Sequence, residues 1–211
     1  IAIRLSDFLC AHFLDVEENR MLVPGHPGME LCLVKMYRET GNKRYLELAK
    51  HFLDVRGQDP DVLNRQHEQK WNRSNIFPEW NTWADHKYMQ IHQPVREQKT
   101  VEGHGVRANY LYAGMVDVYM ETGDESLLEA CKTLYRNLVG KRMYITGGIG
   151  SACCGERFTA DYDLPNDTVY AESCASVALA LFGRRMFQAT GEGKYIDTVE
   201  QALYNTVFGS V

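Results

Sequence analysis

Residues 156–174 read ERFTADYDLPNDTVYAESC, with five carboxylates (Glu156, Asp161, Asp163, Asp167, Glu172), a Pro-Asn-Asp-Thr turn and a closing Glu-x-Cys. The run lies between a Gly-rich loop and a long apolar helix pattern, and hardly any of it is needed to build a helix. Carboxylates are costly to bury, so this many beside a packed core suggests a polar cavity. The plainer alternative is a solvated loop ahead of a capped helix. A carboxylic acid in a partly dry cavity can protonate a leaving oxygen, and Glu156 is the candidate. Spacing alone does not separate it from Asp161 and Asp163.

Glu172 and Cys174 offer the oxygen and sulfur that zinc accepts. On a regular helix, residues two apart point about 200° from each other. The two converge on one ion only if the backbone there is irregular or just entering the helix. Asn166, Asp167 and Thr168 are N-cap candidates that place Glu172 near that entrance. Glu-x-Cys by itself also describes a buried Cys beside a surface Glu. Cys153-Cys154 could add two thiolates, or could be two loop residues without a role. His26, His92 and His104 each sit beside Gly or Pro, at element ends where a ring can face a cavity.

The elements that must carry these groups are helices. Ala108, Leu111, Tyr112, Met115, Val118 and Tyr119 form one helical face. So do Ala175, Ala178, Leu179, Phe182 and Met186, then Tyr45, Leu48, Ala49 and Phe52, and also Leu127, Cys131, Leu134 and Leu138. The fold class is all-α, with about eight helices expected. Tyr37-Arg38-Glu39-Thr40-Gly41-Asn42 returns 82 residues on as Tyr119-Met120-Glu121-Thr122-Gly123-Asp124, and 68 residues later as Phe187-Gln188-Ala189-Thr190-Gly191-Glu192. Gly after Thr suits a left-handed helix end, and the next polar residue can start the partner helix. Three αα-hairpins with long inserts suit part of an (α/α)6 barrel, whose loops at one end build a site. An open helical scaffold usually repeats at a fixed spacing, which these hairpins do not. The insert at 66–94 holds His67, Trp71, Trp80, Trp83, His86 and His92, too aromatic for a disordered linker.

The net charge of −5 and the absence of a basic run argue against nucleic acid as a partner. Charges interrupt every apolar stretch, so no membrane span is expected. Cys10, Cys32 and Cys131 fall on apolar helix faces; with no signal peptide in view, reduced thiols and a cytoplasmic setting are expected. The chain begins and ends inside helical patterns and reads as a fragment, truncated at both ends.

Several strings in order resemble glycoside hydrolase family 127, the β-L-arabinofuranosidases. They are residues 92–98 (HQPVREQ), 102–108 (EGHGVRA), 144–151 (YITGGIGS), 161–168 (DYDLPNDT), 170–176 (YAESCAS) and 202–205 (ALYN). The resemblance implies that residues 1–211 are a partial (α/α)6-barrel catalytic domain, with β-sandwich domains downstream. It implies a retaining exo-glycosidase acting on arabinose-containing oligosaccharides or glycopeptides, with a zinc-held cysteine nucleophile. By motif, Glu172 and Cys174 match two zinc ligands and Glu156, in Gly-Glu-x-Phe, matches the general acid/base. His104 and His26 match substrate-contacting histidines. The family's adjacent Cys pair, carrying the nucleophile, would lie beyond residue 211. Cys153-Cys154 stands where the family carries other residues, so the nucleophile is not assigned to it. The alternatives are another (α/α)-barrel carbohydrate enzyme, such as an epimerase or an unsaturated uronoside hydrolase, and a non-catalytic scaffold.

Overall fold

The structure is a computed structural model describing residues 1–63 and 85–210. Seven α-helices occupy the described residues: α1 (Ala2–Leu14), α2 (Met29–Thr40), α3 (Lys43–Val55), α4 (Gly105–Thr122), α5 (Glu125–Lys141), α6 (Ser173–Thr190) and α7 (Lys194–Gln201). A π-helical turn, Ala202–Val207, continues α7. Among the described residues β pairing is limited to isolated bridges. The expectations for His67, Trp71, Trp80 and Trp83 lie outside the described residues.

The apolar faces named above are the buried ones. Ala108, Leu111, Tyr112, Met115 and Val118 of α4 and Ala175, Ala178, Leu179, Phe182 and Met186 of α6 join one core with the faces of α3 and α5. Burying one such Leu or Phe contributes about 1.5–3 kcal/mol, which is what holds these helices together. Helix α4 packs on α2 at one side and α6 at the other, while α3, α5 and α7 pack outside their own hairpin partners. That makes an inner row, α2–α4–α6, and an outer row.

The Thr-Gly repeat works three times in the same way. Gly41, Gly123 and Gly191 all take φ 72°. Their N–H groups donate to the carbonyls of Tyr37, Tyr119 and Phe187 at 2.7, 2.7 and 2.8 Å. Thr40, Thr122 and Thr190 hydroxyls donate back to the carbonyls of Met36, Val118 and Met186. Asn42 and Asp124 then cap α3 and α5, accepting from the Arg44 and Ser126 amides. Glu192 does not cap α7: the cap position is Gly193, and the Glu192 carboxylate pairs with Lys194 instead.

Because each hairpin turns back at its Gly, the inner helices run parallel. Their C-terminal ends are tied by an ion cluster built on the buried Asp117 and Arg185. Asp117 of α4 accepts from Arg185 of α6 at 2.6 Å and from Arg38 of α2 at 3.3 Å, and Arg38 also reaches Glu121. The N-terminal ends therefore gather at the opposite pole. Cys10 and Cys131 are buried as expected, but Cys32 is exposed on α2, one residue off the buried Leu31 and Leu33. Among the described residues no helix is long and apolar enough to cross a membrane.

Candidate active site

Glu156 stands in a tight hairpin at the N-terminal pole. Ala152 and Arg157 exchange two backbone hydrogen bonds of 3.1 and 3.0 Å, leaving Cys153, Cys154, Gly155 and Glu156 as the loop between them. The Glu156 N–H closes the turn on the Cys153 carbonyl at 3.1 Å. Gly155 and Glu156 both take left-handed backbone, φ 75° and 50°. For a non-glycine this costs about 1–2 kcal/mol, so the surroundings must enforce it. They do: the Gly105 N–H donates to the Glu156 carbonyl at 3.0 Å and the Phe158 N–H to the Gly103 carbonyl at 2.9 Å. The hairpin is thereby fastened to the start of α4.

His104 is the N-cap of α4 and joins that start to the carboxylate. Its Nδ1 accepts from the amides of Val106 (3.0 Å) and Arg107 (3.5 Å). A nitrogen that accepts carries no hydrogen, so Nε2 holds the ring proton and donates to Glu156 Oε2 at 2.7 Å. Burial holds the His104 pKa below the usual value, against the pull of Glu156, which favours this neutral form. The other carboxylate oxygen, Oε1, accepts from the Tyr170 hydroxyl at 3.0 Å.

Glu172 is the N-cap of α6, with extended backbone at φ −62° and ψ 149°, and Ser173 is the first helical residue. That geometry removes the 200° divergence a regular helix would impose. The Cys174 side chain stands beside the Glu172 carboxylate, close enough to favour its charged form. Asn166, Asp167 and Thr168 are not caps; they lie in a bend, and the helix starts five residues later. One ligand atom from each of His104, Glu156 and Glu172 lies within 4.8 Å of the other two. Burial first, and Glu156 second, push the Glu172 pKa up. The converging ligand atoms of His104, Glu156 and Glu172 could share one cation, while Cys174 is exposed beside Glu172 and is not one of that trio.

His26 lies in the exposed turn ahead of α2, its ring 6.1 Å from that of Tyr110. Its Nδ1 meets the Pro27 carbonyl and so carries the proton, which leaves Nε2 as a free acceptor. Three buried or half-buried groups hold that turn: Arg56 donates to the Pro24 carbonyl (2.8 Å), Arg107 to the Gly25 carbonyl (2.6 Å), and Glu30 accepts from the Gly28 amide (2.9 Å). His26 is near enough to His104 to oppose its charging. His92 stands apart from this group: its Nδ1 is buried without a partner, and its charged neighbours are Glu102, Lys87 and Asp85.

Geometry also sorts the carboxylates that spacing could not. Asp161 accepts from Lys141, Arg142 and Asn137 at 2.9, 2.8 and 3.0 Å, which is an ion network bracing α5 and not a site. Cys153 and Cys154 are exposed and unpaired. Three residues near the site carried no mark in the sequence beyond their type. Tyr170 binds Glu156; Tyr88 meets His104 edge-on at 5.4 Å; and Arg107 stacks over Tyr88 at 5.1 Å. Alternation would not have found Tyr170, because the left-handed Ala171 interrupts the segment between it and Glu172.

Residues 1–211 match the family described as β-L-arabinofuranosidase, GH127 catalytic domain. The chain is 44% identical over 205 residues to a non-reducing end β-L-arabinofuranosidase of Bifidobacterium longum subsp. longum, an alignment covering 97% of this chain and 31% of that protein. The crystal structure of a GH127 β-L-arabinofuranosidase from Geobacillus stearothermophilus T6 superposes with a TM-score of 0.87 at 44% identity, over 96% of this chain and 31% of the other. A second GH127 β-arabinofuranosidase structure gives 0.83 at 38% identity, over 99% of this chain and 29% of the other. The chain thus spans about a third of the length of these relatives. Since the match runs through every residue from 1 to 211, and the helices superpose as closely as the sequences align, the chain belongs to the GH127 β-L-arabinofuranosidase catalytic-domain family.

Proposed function

We propose that this chain supplies the acid/base half of a retaining exo-glycosidase site that removes terminal β-L-arabinofuranosyl groups, within an (α/α)6 barrel completed by further helices and followed by β-sandwich domains. The observation that carries the proposal is the anchoring of Glu156 at both oxygens, in one cluster with Glu172. Glu156 would protonate the leaving oxygen and then take a proton from the incoming water, the two-step retaining scheme. The exposed Nε2 of His26 would accept a hydrogen bond from a sugar hydroxyl. His104 has both ring nitrogens engaged, so its first role is to hold Glu156; it would meet substrate only by sharing that bond. Glu172 and Cys174 would hold zinc together with an adjacent Cys pair beyond residue 211. Bound there, zinc would stabilise a thiolate nucleophile at neutral pH. Arabinose-containing oligosaccharides or glycopeptides are the proposed substrates.

The test is Glu156→Gln in a complete enzyme carrying this chain. Turnover of an alkyl β-L-arabinofuranoside should fall about 10²- to 10⁴-fold, the usual weight of a positioned acid/base. Zinc measured by elemental analysis should stay at the wild-type ratio, because Glu156 is not a proposed ligand. Unchanged turnover removes Glu156 from the role. A wild-type enzyme without zinc would favour an epimerase or unsaturated uronoside hydrolase in the same scaffold.

A further inference from the structure

We propose that Tyr170 is a positioning residue for Glu156, and that Oε1 is the oxygen through which Glu156 passes its proton. This rests on the acid/base assignment above. The two oxygens have unlike partners. Oε2 faces His104 Nε2, which is locked as a donor because the Val106 amide occupies Nδ1. A protonated Oε2 would be a poorer acceptor for that fixed N–H than the bare oxygen is, so Oε2 stays unprotonated through the cycle. Oε1 faces a hydroxyl, the one kind of partner that can either donate or accept. Tyr170 donates to Oε1 when Glu156 is ionised. When Oε1 carries the proton, the hydroxyl can rotate its own hydrogen away, a freedom that the His104 N–H lacks.

In the first step the exocyclic C–O bond breaks, its electron pair stays on the leaving oxygen, and that oxygen takes the Oε1 proton while the nucleophile bonds to the anomeric carbon. In the second step water adds its oxygen to that carbon, gives a proton back to Oε1, and the nucleophile leaves with its electron pair. Tyr170 steers one carboxylate oxygen through both steps without itself exchanging a proton. The backbone is arranged for this. Ala171, between Tyr170 and Glu172, takes left-handed φ 40°, held by its N–H on the Gly150 carbonyl at 2.9 Å. Strain of that kind persists only where the surroundings enforce it.

The experiment is Tyr170→Phe in a complete enzyme carrying this chain, measured as kcat/KM on an alkyl and on a dinitrophenyl β-L-arabinofuranoside. The alkoxide needs a proton to leave and the dinitrophenolate does not. The expected result is a loss of about 10- to 100-fold on the alkyl substrate, the weight of a hydrogen bond to a charged group, with less than about threefold change on the dinitrophenyl one. Tyr170 is 37% exposed, so removing its hydroxyl opens no cavity, and wild-type melting temperature and zinc content will confirm that the site is intact. Equal losses on both substrates, or none on either, overturn the proposal. Glu156→Gln is measured alongside. If it keeps alkyl turnover, the acid/base assignment itself fails; if it loses that turnover while Tyr170→Phe does not, only the Tyr170 proposal falls.

Discussion

His104 caps α4 through Nδ1 and holds Glu156 through Nε2, so an alanine there would mix a folding defect with a chemical one. Two substitutions separate them. Asn is among the best N-cap residues, yet its shorter side chain cannot cap and reach Glu156 together. His104→Asn should keep nearly wild-type stability and His104→Ala should lose about 1 kcal/mol in denaturant melts. Both should lower kcat/KM on an alkyl arabinofuranoside by about the same 10- to 100-fold, since both free Oε2. If His104→Asn retained full activity, the bond to Glu156 would have no part in catalysis. The same residue shows what one sequence can reveal at this scale. A His flanked by Gly residues announces an element end, but nothing in the string assigns its two nitrogens to an amide and a carboxylate 52 residues away.

The hairpins were the most legible elements, because their signal is local: a Thr and a Gly fix one helix end, and in two of the three the next polar residue caps the following helix. Gly41, Gly123 and Gly191 need their glycine only for backbone sign, since a Cβ at any of them would meet nothing within 4 Å. Alanine at each should cost about 1 kcal/mol, nearly the same at all three, read as a shift in the unfolding midpoint. Gly103 has a comparable φ of 73°, but there a Cβ would run into the Lys87 carbonyl. Gly103→Ala should therefore be markedly worse than Gly123→Ala, and equal midpoints would show that backbone sign alone governs both. The start of α6 was less legible. Asn166–Asp167–Thr168 has the right residue types, but the chain must first run back past Glu156, where Ala171 pairs with Gly150 and Glu172 becomes the cap. Long-range packing set that boundary, and no local pattern encodes it.

Across the whole molecule the parallel inner helices put unlike chemistry at opposite poles. Their C-terminal ends meet at the Arg38–Asp117–Arg185 cluster, while His26, His104, Glu172 and Cys174 all lie at or before their first turns. The helix N-termini bring partial positive charge to a site crowded with carboxylates. Ion pairs with low-pKa partners fasten loops of this frame both near the site and at the hairpin turn after α4. Lys141, then Arg142 and Asn137, hold the Asp161 pKa well below its usual range. Burial alone would raise Asp85 and Asp124. The Tyr88 amide and Arg157 outweigh it at Asp85, and Ser126 and Arg96 outweigh it at Asp124, so both are lowered. A carboxylate whose folded pKa is depressed adds stability that is fully present above its unfolded pKa, about 3.9, and is lost as pH falls through the folded value. The melting temperature should therefore hold from neutral pH to roughly pH 5 and drop steeply below about pH 4. Asp161→Asn should lower it at pH 7, where Arg142 loses its charged partner, and flatten the acid limb, since one of the titrating links is gone. Scanning calorimetry from pH 7 to pH 2 checks both. Parallel acid limbs for wild type and Asp161→Asn would mean that Asp161 does not drive the acid transition, and that the loops around Glu156 are held chiefly by their backbone hydrogen bonds to α4.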